Sequence, residues 1–152
     1  MKLAEALVIR ADTQKQLEQL KYRMLRNVKV QDGEKPAENP IKLIAEYEAA
    51  AAELGRLIRQ INITNSRATV LGRTMTQALA ERDVLKQRQA MYRDLAEAAT
   101  VTQSVSFRSE IRFRSFVSVP EIQKKADMAA KELRELDARI QEANWRIDLL
   151  DY

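Results

Sequence analysis

Nine apolar residues, Ile122, Ala126, Ala129, Leu133, Leu136, Ile140, Ala143, Ile147 and Leu150, follow one another at steps of 4, 3, 4, 3, 4, 3, 4 and 3. A stripe with this spacing falls on one side of an α-helix, whereas the two-residue period of a strand would scatter it over both faces. The seam runs without a polar interruption over about four heptads, the signature of a helix that packs lengthwise on other helices. It predicts a helix over about 120–150, roughly 45 Å long at 1.5 Å per residue. Ser118, Val119, Pro120 and Glu121 precede it as a capping box, with proline in the first turn where its missing N–H costs little.

A seam this thin and this rich in alanine needs partner helices, and the rest of the chain supplies them. Residues 2–29 read as a first helix, with Leu3, Leu7, Leu17, Met24 and Val28 on a heptad row that also takes in Arg10, Gln14 and Lys21. Leu20 and Leu25 widen that stripe. Gly33 and Pro36 break the following loop, and Asn39 before Pro40 is an N-cap followed by a proline at the first helical position. A second helix is expected over 40–65. Ile44, Ala51, Ile58 and Ile61 form one row, Leu43, Leu54 and Leu57 lie beside it, and the Asn and Thr groups of INITNS end it. A turn at SRATVLGR closes near Gly72. Thr74 and Gln77 then make another capping box, and a third helix follows over 74–99. Its row is Met75, Ala78, Arg82, Leu85, Gln89, Tyr92 and Ala96.

Long helices joined by short loops pack antiparallel. The expected fold class is therefore all-α: an antiparallel bundle of four long helices, a single helical-bundle domain over 1–152, with a short β-strand or hairpin between helices three and four. Only three glycines and three prolines in 152 residues agree with so much helix. With aromatics at 5%, the core must come from Leu, Ile, Val, Met and Ala.

Composition also removes much chemistry. There is no His and no Cys, so Ser–His and Cys–His nucleophiles, thiol chemistry and Glu-x-x-His di-metal sites are out of reach. Three glycines do not build a phosphate-cradling loop, and no Walker-type motif is present. No catalytic residue, metal ligand or cofactor is expected, and no small-molecule substrate is indicated. No stretch approaches 18 apolar residues, mean hydropathy is −0.44, and the first residues lack a leader's apolar run, so the expected location is the cytoplasm.

The segment RSEIRFRSFVSVP, residues 108–120, fits no helix. It alternates and favours β structure over 108–119, placing Ile111, Phe113 and Val117 on one face and Arg112, Arg114 and Phe116 on the other. An isolated hairpin is marginal in water, so this one needs its own helices or a strand from another copy. Trp145, Leu149 and Tyr152 flank the last seam and also favour burial against a second chain. Ile111, Phe113, Phe116, Val117 and Trp145 are therefore the expected self-association residues, and the protein itself is the expected partner.

Two further groups of residues stand out. Polar side chains at seam positions, Arg10 and Gln14 on helix one and Arg82 and Gln89 on helix three, form either a pocket or ion pairs that set register. A buried arginine needs a carboxylate, and Asp12, Glu81, Asp83 and Asp94 are the candidates. The second group is basic. Residues 1–29 carry seven basic and three acidic groups within a net charge of +4. Lys21, Arg23, Arg26 and Lys29 close helix one, where cations suit the helix dipole. Together with Arg112 and Arg114 beside Phe113 and Phe116, they are also the residues a nucleic-acid partner would use.

The run of MKLAEALVIRAD, LKYRMLRNVKVQDGE, NITN, TMTQALAERD, RSEIRF and ELRELDARIQEANW, in that order over nearly the whole chain, resembles a family of small uncharacterised bacterial helical proteins, some of whose members carry the name septicolysin. The resemblance implies a helical fold and a bacterial origin, and the name implies a cytolysin.

Overall fold

The computed structural model describes residues 1–101 and 111–151. Four helices dominate: α1 (Leu3–Asn27), α2 (Pro40–Arg67), α3 (Met75–Ala99) and α4 (Val119–Arg146). A two-stranded hairpin, β1 (Thr69–Val70) and β2 (Arg73–Thr74), links α2 to α3. The seam of α4 is its buried side: Ala126, Ala129, Leu136, Ile140 and Ala143 are buried, with Ile122 and Leu133 partly so. The chain divides into two compact units, one made of Met1–Thr69 with Gln141–Tyr152 and the other of Val70–Ile140.

In the first unit α1 and α2 pack as an antiparallel pair. Their connection is fixed at its base by Asn27, whose Nδ2 donates to the Arg23 carbonyl at 2.8 Å and whose Oδ1 accepts from the Glu38 N–H at 3.0 Å. Asn39 caps α2, its side chain accepting from the Ile41 N–H at 3.0 Å with Pro40 in the first position, as expected. The buried row of α2 is Leu43, Leu57, Ile61 and Thr64, with Tyr47, Ala50 and Leu54 partly covered between them. Of the expected row, Ile61 is buried and Ala51 and Ile58 are partly covered, but Ile44 at its start is 50% exposed and the flanking Leu43 and Leu57 are buried in its stead. On α1 the inward positions include Leu3, Ala6 and Leu20. Leu17 and Met24 are half-buried, while Gln14, Lys21 and Val28 of the expected row face solvent. Inward Leu20 takes the place that a strict heptad would have given to Lys21, which avoids desolvating an ammonium.

Two element ends differ from expectation for one shared reason. Helix α2 runs through INITNS to Arg67, and α4 stops at Arg146 rather than near residue 150. Residues after Arg146 pair with the N-terminus: the Leu3 N–H donates to the Ile147 carbonyl and the Leu149 N–H to the Met1 carbonyl, both at 2.9 Å. Lys2 and Asp148 form an antiparallel bridge and a 2.8 Å ion pair. The Leu150 N–H donates to Thr64 Oγ at 3.0 Å, and Gln60 Nε2 donates to Asp151 at 2.7 Å. The polar side chains of α2 thus bind the tail instead of ending their own helix, and the tail exchanges its last helical turn for these partners. Ile147 and Leu150 remain partly covered, but as parts of an extended chain.

In the second unit, the β1–β2 turn places Leu71 at φ 51° and Gly72 at φ 76°. Two successive positive φ values are the pattern of a type I′ hairpin, whose twist matches that of paired strands. Thr74 then caps α3: its Oγ accepts from the Gln77 N–H at 3.2 Å, and the Gln77 side chain accepts from the Thr74 N–H at 3.0 Å. The row Met75, Ala78, Arg82, Leu85, Gln89, Tyr92 and Ala96 is buried or half-buried throughout, as its spacing predicts. Among the described residues the β structure lies before α3. Within the expected strand of 108–119, residues 108–110 lie outside the described residues. Residues 111–118 hold no strand: no described residue pairs with them to complete a ladder, and Ser115 bends the segment by accepting from the Val117 N–H at 3.2 Å.

Candidate functional site

The second unit carries a groove between the hairpin, the first half of α3 and the last turns of α4's stretch up to Ile140. Leu85 and Leu136, the inward residues of the two seams, form its floor, and Leu71 and Ala138 lie at its edges. Five charged side chains surround it: Arg73, Glu81, Glu132, Glu135 and Arg139, in a cavity of about 750 Å³. The rim is net acidic. Arg73 is held by Glu81 at 2.7 Å, and Glu135 lies 4.0 Å from Lys131. Glu132 is exposed and pairs with no described residue.

Next to the groove Arg82, 21% exposed at its side chain, donates to Asp137 at 3.1 Å and so ties α3 to α4. Desolvating a guanidinium demands such a partner. The partner is not among the carboxylates expected from sequence. Glu81 is turned to Arg73 and Asp83 is exposed, whereas Asp137 follows Leu136 directly and so sits at the margin of α4's seam. Only the facing helix reveals it. Buried Nε atoms of Arg73 and Arg82 have no hydrogen-bond partner among the described residues, and the same holds for Arg10 of the first unit. Gln89 is half-buried and Gln14 exposed.

The same unit carries an exposed arm, residues 111–117, leading into α4. Phe116 is 91% exposed, Phe113 79% and Ile111 61%, with Val117 at 39%. The Arg114 guanidinium stands 5.3 Å from the centroid of the Phe116 ring, within cation–π range, and Arg112 is exposed. Arg114 and Phe116 thus make one flat, cationic, aromatic surface. Trp145, near the end of α4 in the first unit, is also open to solvent, and Tyr152 lies outside the described residues.

The basic end of α1 is less basic than its composition. Arg23 grips the Glu38 carboxylate with Nε and Nη2. This hydrogen bonding raises the Arg23 guanidinium and holds the Glu38 carboxyl below its ordinary range. Lys21, Arg26 and Lys29 are exposed, Arg26 lying 5.5 Å over the Tyr22 ring. Sequence reasoning missed the tail clamp of Lys2, Thr64 and Gln60 altogether. Its only trace is the cluster of polar side chains late in α2, and their partners lie about ninety positions away.

Among the described residues no group of three or more acidic side chains is placed to hold a metal ion. No described helix is long and apolar enough to cross a membrane. Fold and site together define a small four-helix protein whose prominent surface features are an aromatic arm and a charged groove. The chain belongs to a family of unknown function, DUF6847, whose profile matches residues 10–149. A solved structure from Corynebacterium diphtheriae, described as a functionally unknown conserved protein, is 42% identical and superposes with a TM-score of 0.93 over 99% of both chains. No curated protein matches the chain.

Proposed function

We propose that this protein is a non-enzymatic, self-assembling helical scaffold or interaction protein that uses its 111–117 arm as the contact. The observation carrying this reading is the exposure of Phe113 and Phe116, at 79% and 91%, beside exposed Ile111. Large aromatics are the residues that anchor protein interfaces, and an apolar cluster standing in water is unfavourable until something covers it. The absence of His and Cys from the sequence fits a binding role better than a catalytic one. The cytolysin that the name septicolysin implies draws no support from the described helices.

Sedimentation velocity tests the reading. The protein is expected to be a dimer or larger at micromolar concentration, and the F113S/F116S variant a monomer with an unchanged helical circular dichroism spectrum. A wild-type monomer at that concentration ends the proposal. A second reading rests on the Arg114–Phe116 pair, which resembles a surface for stacking an unpaired base, with Lys21, Arg26 and Lys29 as phosphate contacts. It draws less support, because Arg23 is already engaged by Glu38. Fluorescence anisotropy with tRNA and single-stranded DNA at low salt decides it, and no shift removes it.

A further inference from the structure

We propose that the arm of one copy seats in the charged groove of a second copy, in reciprocal exchange. This rests on the self-association reading and deepens it by naming the receiving surface. The two surfaces complement each other in chemistry. The arm offers two arginines and two exposed phenylalanines, and the groove offers an apolar floor, Leu85 and Leu136, rimmed by Glu81, Glu132 and Glu135 against Arg73 and Arg139. A phenylalanine on that floor would bring Arg112 or Arg114 to the glutamate rim, where Glu132 has no described partner.

The Phe116 ring does not reach its own groove. Phe116 lies three residues before Val119, so it extends at most about 10 Å from the start of α4. Glu132, the nearest groove residue on α4, is about 20 Å along the helix, and Leu136 about 26 Å. Phe113 would need a fully taut chain to approach even Glu132, and the turn at Ser115 shortens that chain. A second copy is free of the tether. Because each copy carries both surfaces, mutual docking closes around a two-fold axis and leaves neither arm unsatisfied.

The chain has no native cysteine, so engineered pairs report contact directly. F116C protein is mixed with A138C protein, which carries its thiol at the groove edge, and separately with K42C protein, whose thiol lies on an exposed position of α2. Under mild oxidation the first mixture is expected to form a mixed disulfide dimer several-fold faster than the second. Sedimentation adds a second measure. E132K is expected to weaken the dimer about tenfold, the effect of losing one complementary contact, and R114E/E132K to recover most of that loss. If F116C couples chiefly with itself, or E132K leaves the dimer constant unchanged while F113S/F116S abolishes the dimer, arms pair with arms. The groove assignment is then overturned while self-assembly stands. If F113S/F116S leaves the dimer intact, both fall.

Discussion

Thr64 shows how one hydroxyl holds a chain end. It is fully buried, donates to the Gln60 carbonyl at 2.8 Å and accepts from the Leu150 N–H at 3.0 Å. Thr64→Val keeps the shape and removes the oxygen, leaving the part-buried Leu150 N–H without an acceptor. The cost of such an orphan is about 1–3 kcal/mol, and a loss of that size is expected in urea denaturation. Amide exchange at Leu150 should accelerate with it. Leu71 presents the opposite case, a residue that works against its own backbone. A branched apolar side chain at φ 51° occupies a region that Asn and Gly enter more readily. Leu71→Asn creates the Asn-Gly pair that type I′ turns favour, and is expected to stabilise the fold by about 0.5–1 kcal/mol. Leu71 also lines the groove, so the same change should weaken the dimer if that side chain is kept there for contact with a second copy.

At the scale of elements, the helices were legible wherever periodicity was strict. The α3 row was read residue for residue and the α4 seam from Ile122 to Ala143, and the caps at Asn39 and Thr74 hold as drawn. On α1 and α2 two adjacent rows both carried apolar residues, and one sequence alone did not decide between them. On α2, burial kept Ile61 of the expected row but chose Leu43 and Leu57 beside it over Ile44. Ile140→Ala empties a fully buried seam position and is expected to cost about 2–5 kcal/mol. Ile44→Ala removes a half-exposed side chain and should stay within about 0.5 kcal/mol. Equal losses at the two positions would mean that Ile44 is covered in solution. Interactions far apart in sequence were not legible. The Lys2–Asp148 bridge and the Arg82–Asp137 pair join residues whose proximity no local pattern encodes, and the tail's hydrogen bonds outweighed helix propensity after Arg146. The groove was invisible for the same reason, since its rim comes from three separate elements.

For the whole molecule, the aromatic arm and the acidic groove predict how stability depends on concentration. An assembly that binds folded chains and not unfolded ones stabilises the fold by mass action, so its thermal midpoint rises with protein concentration. Phe113 and Phe116 stand in solvent and add little packing to the described part of their own copy. Any concentration dependence must then come from contacts between copies. The midpoint is expected to rise by several degrees between about 2 and 200 µM, since a hundredfold change in concentration is worth about 2.7 kcal/mol per bound site. F113S/F116S should flatten the slope and leave the low-concentration midpoint in place, because those side chains cover little in the described part of the single chain. Added salt separates the two parts of the contact. Screening weakens the arginine–glutamate rim and leaves the phenylalanine burial, so the slope should shrink without vanishing as salt approaches about 1 M, where the screening length is about 3 Å. A midpoint independent of concentration in the wild type would show the arm to be an exposed feature of a solitary chain.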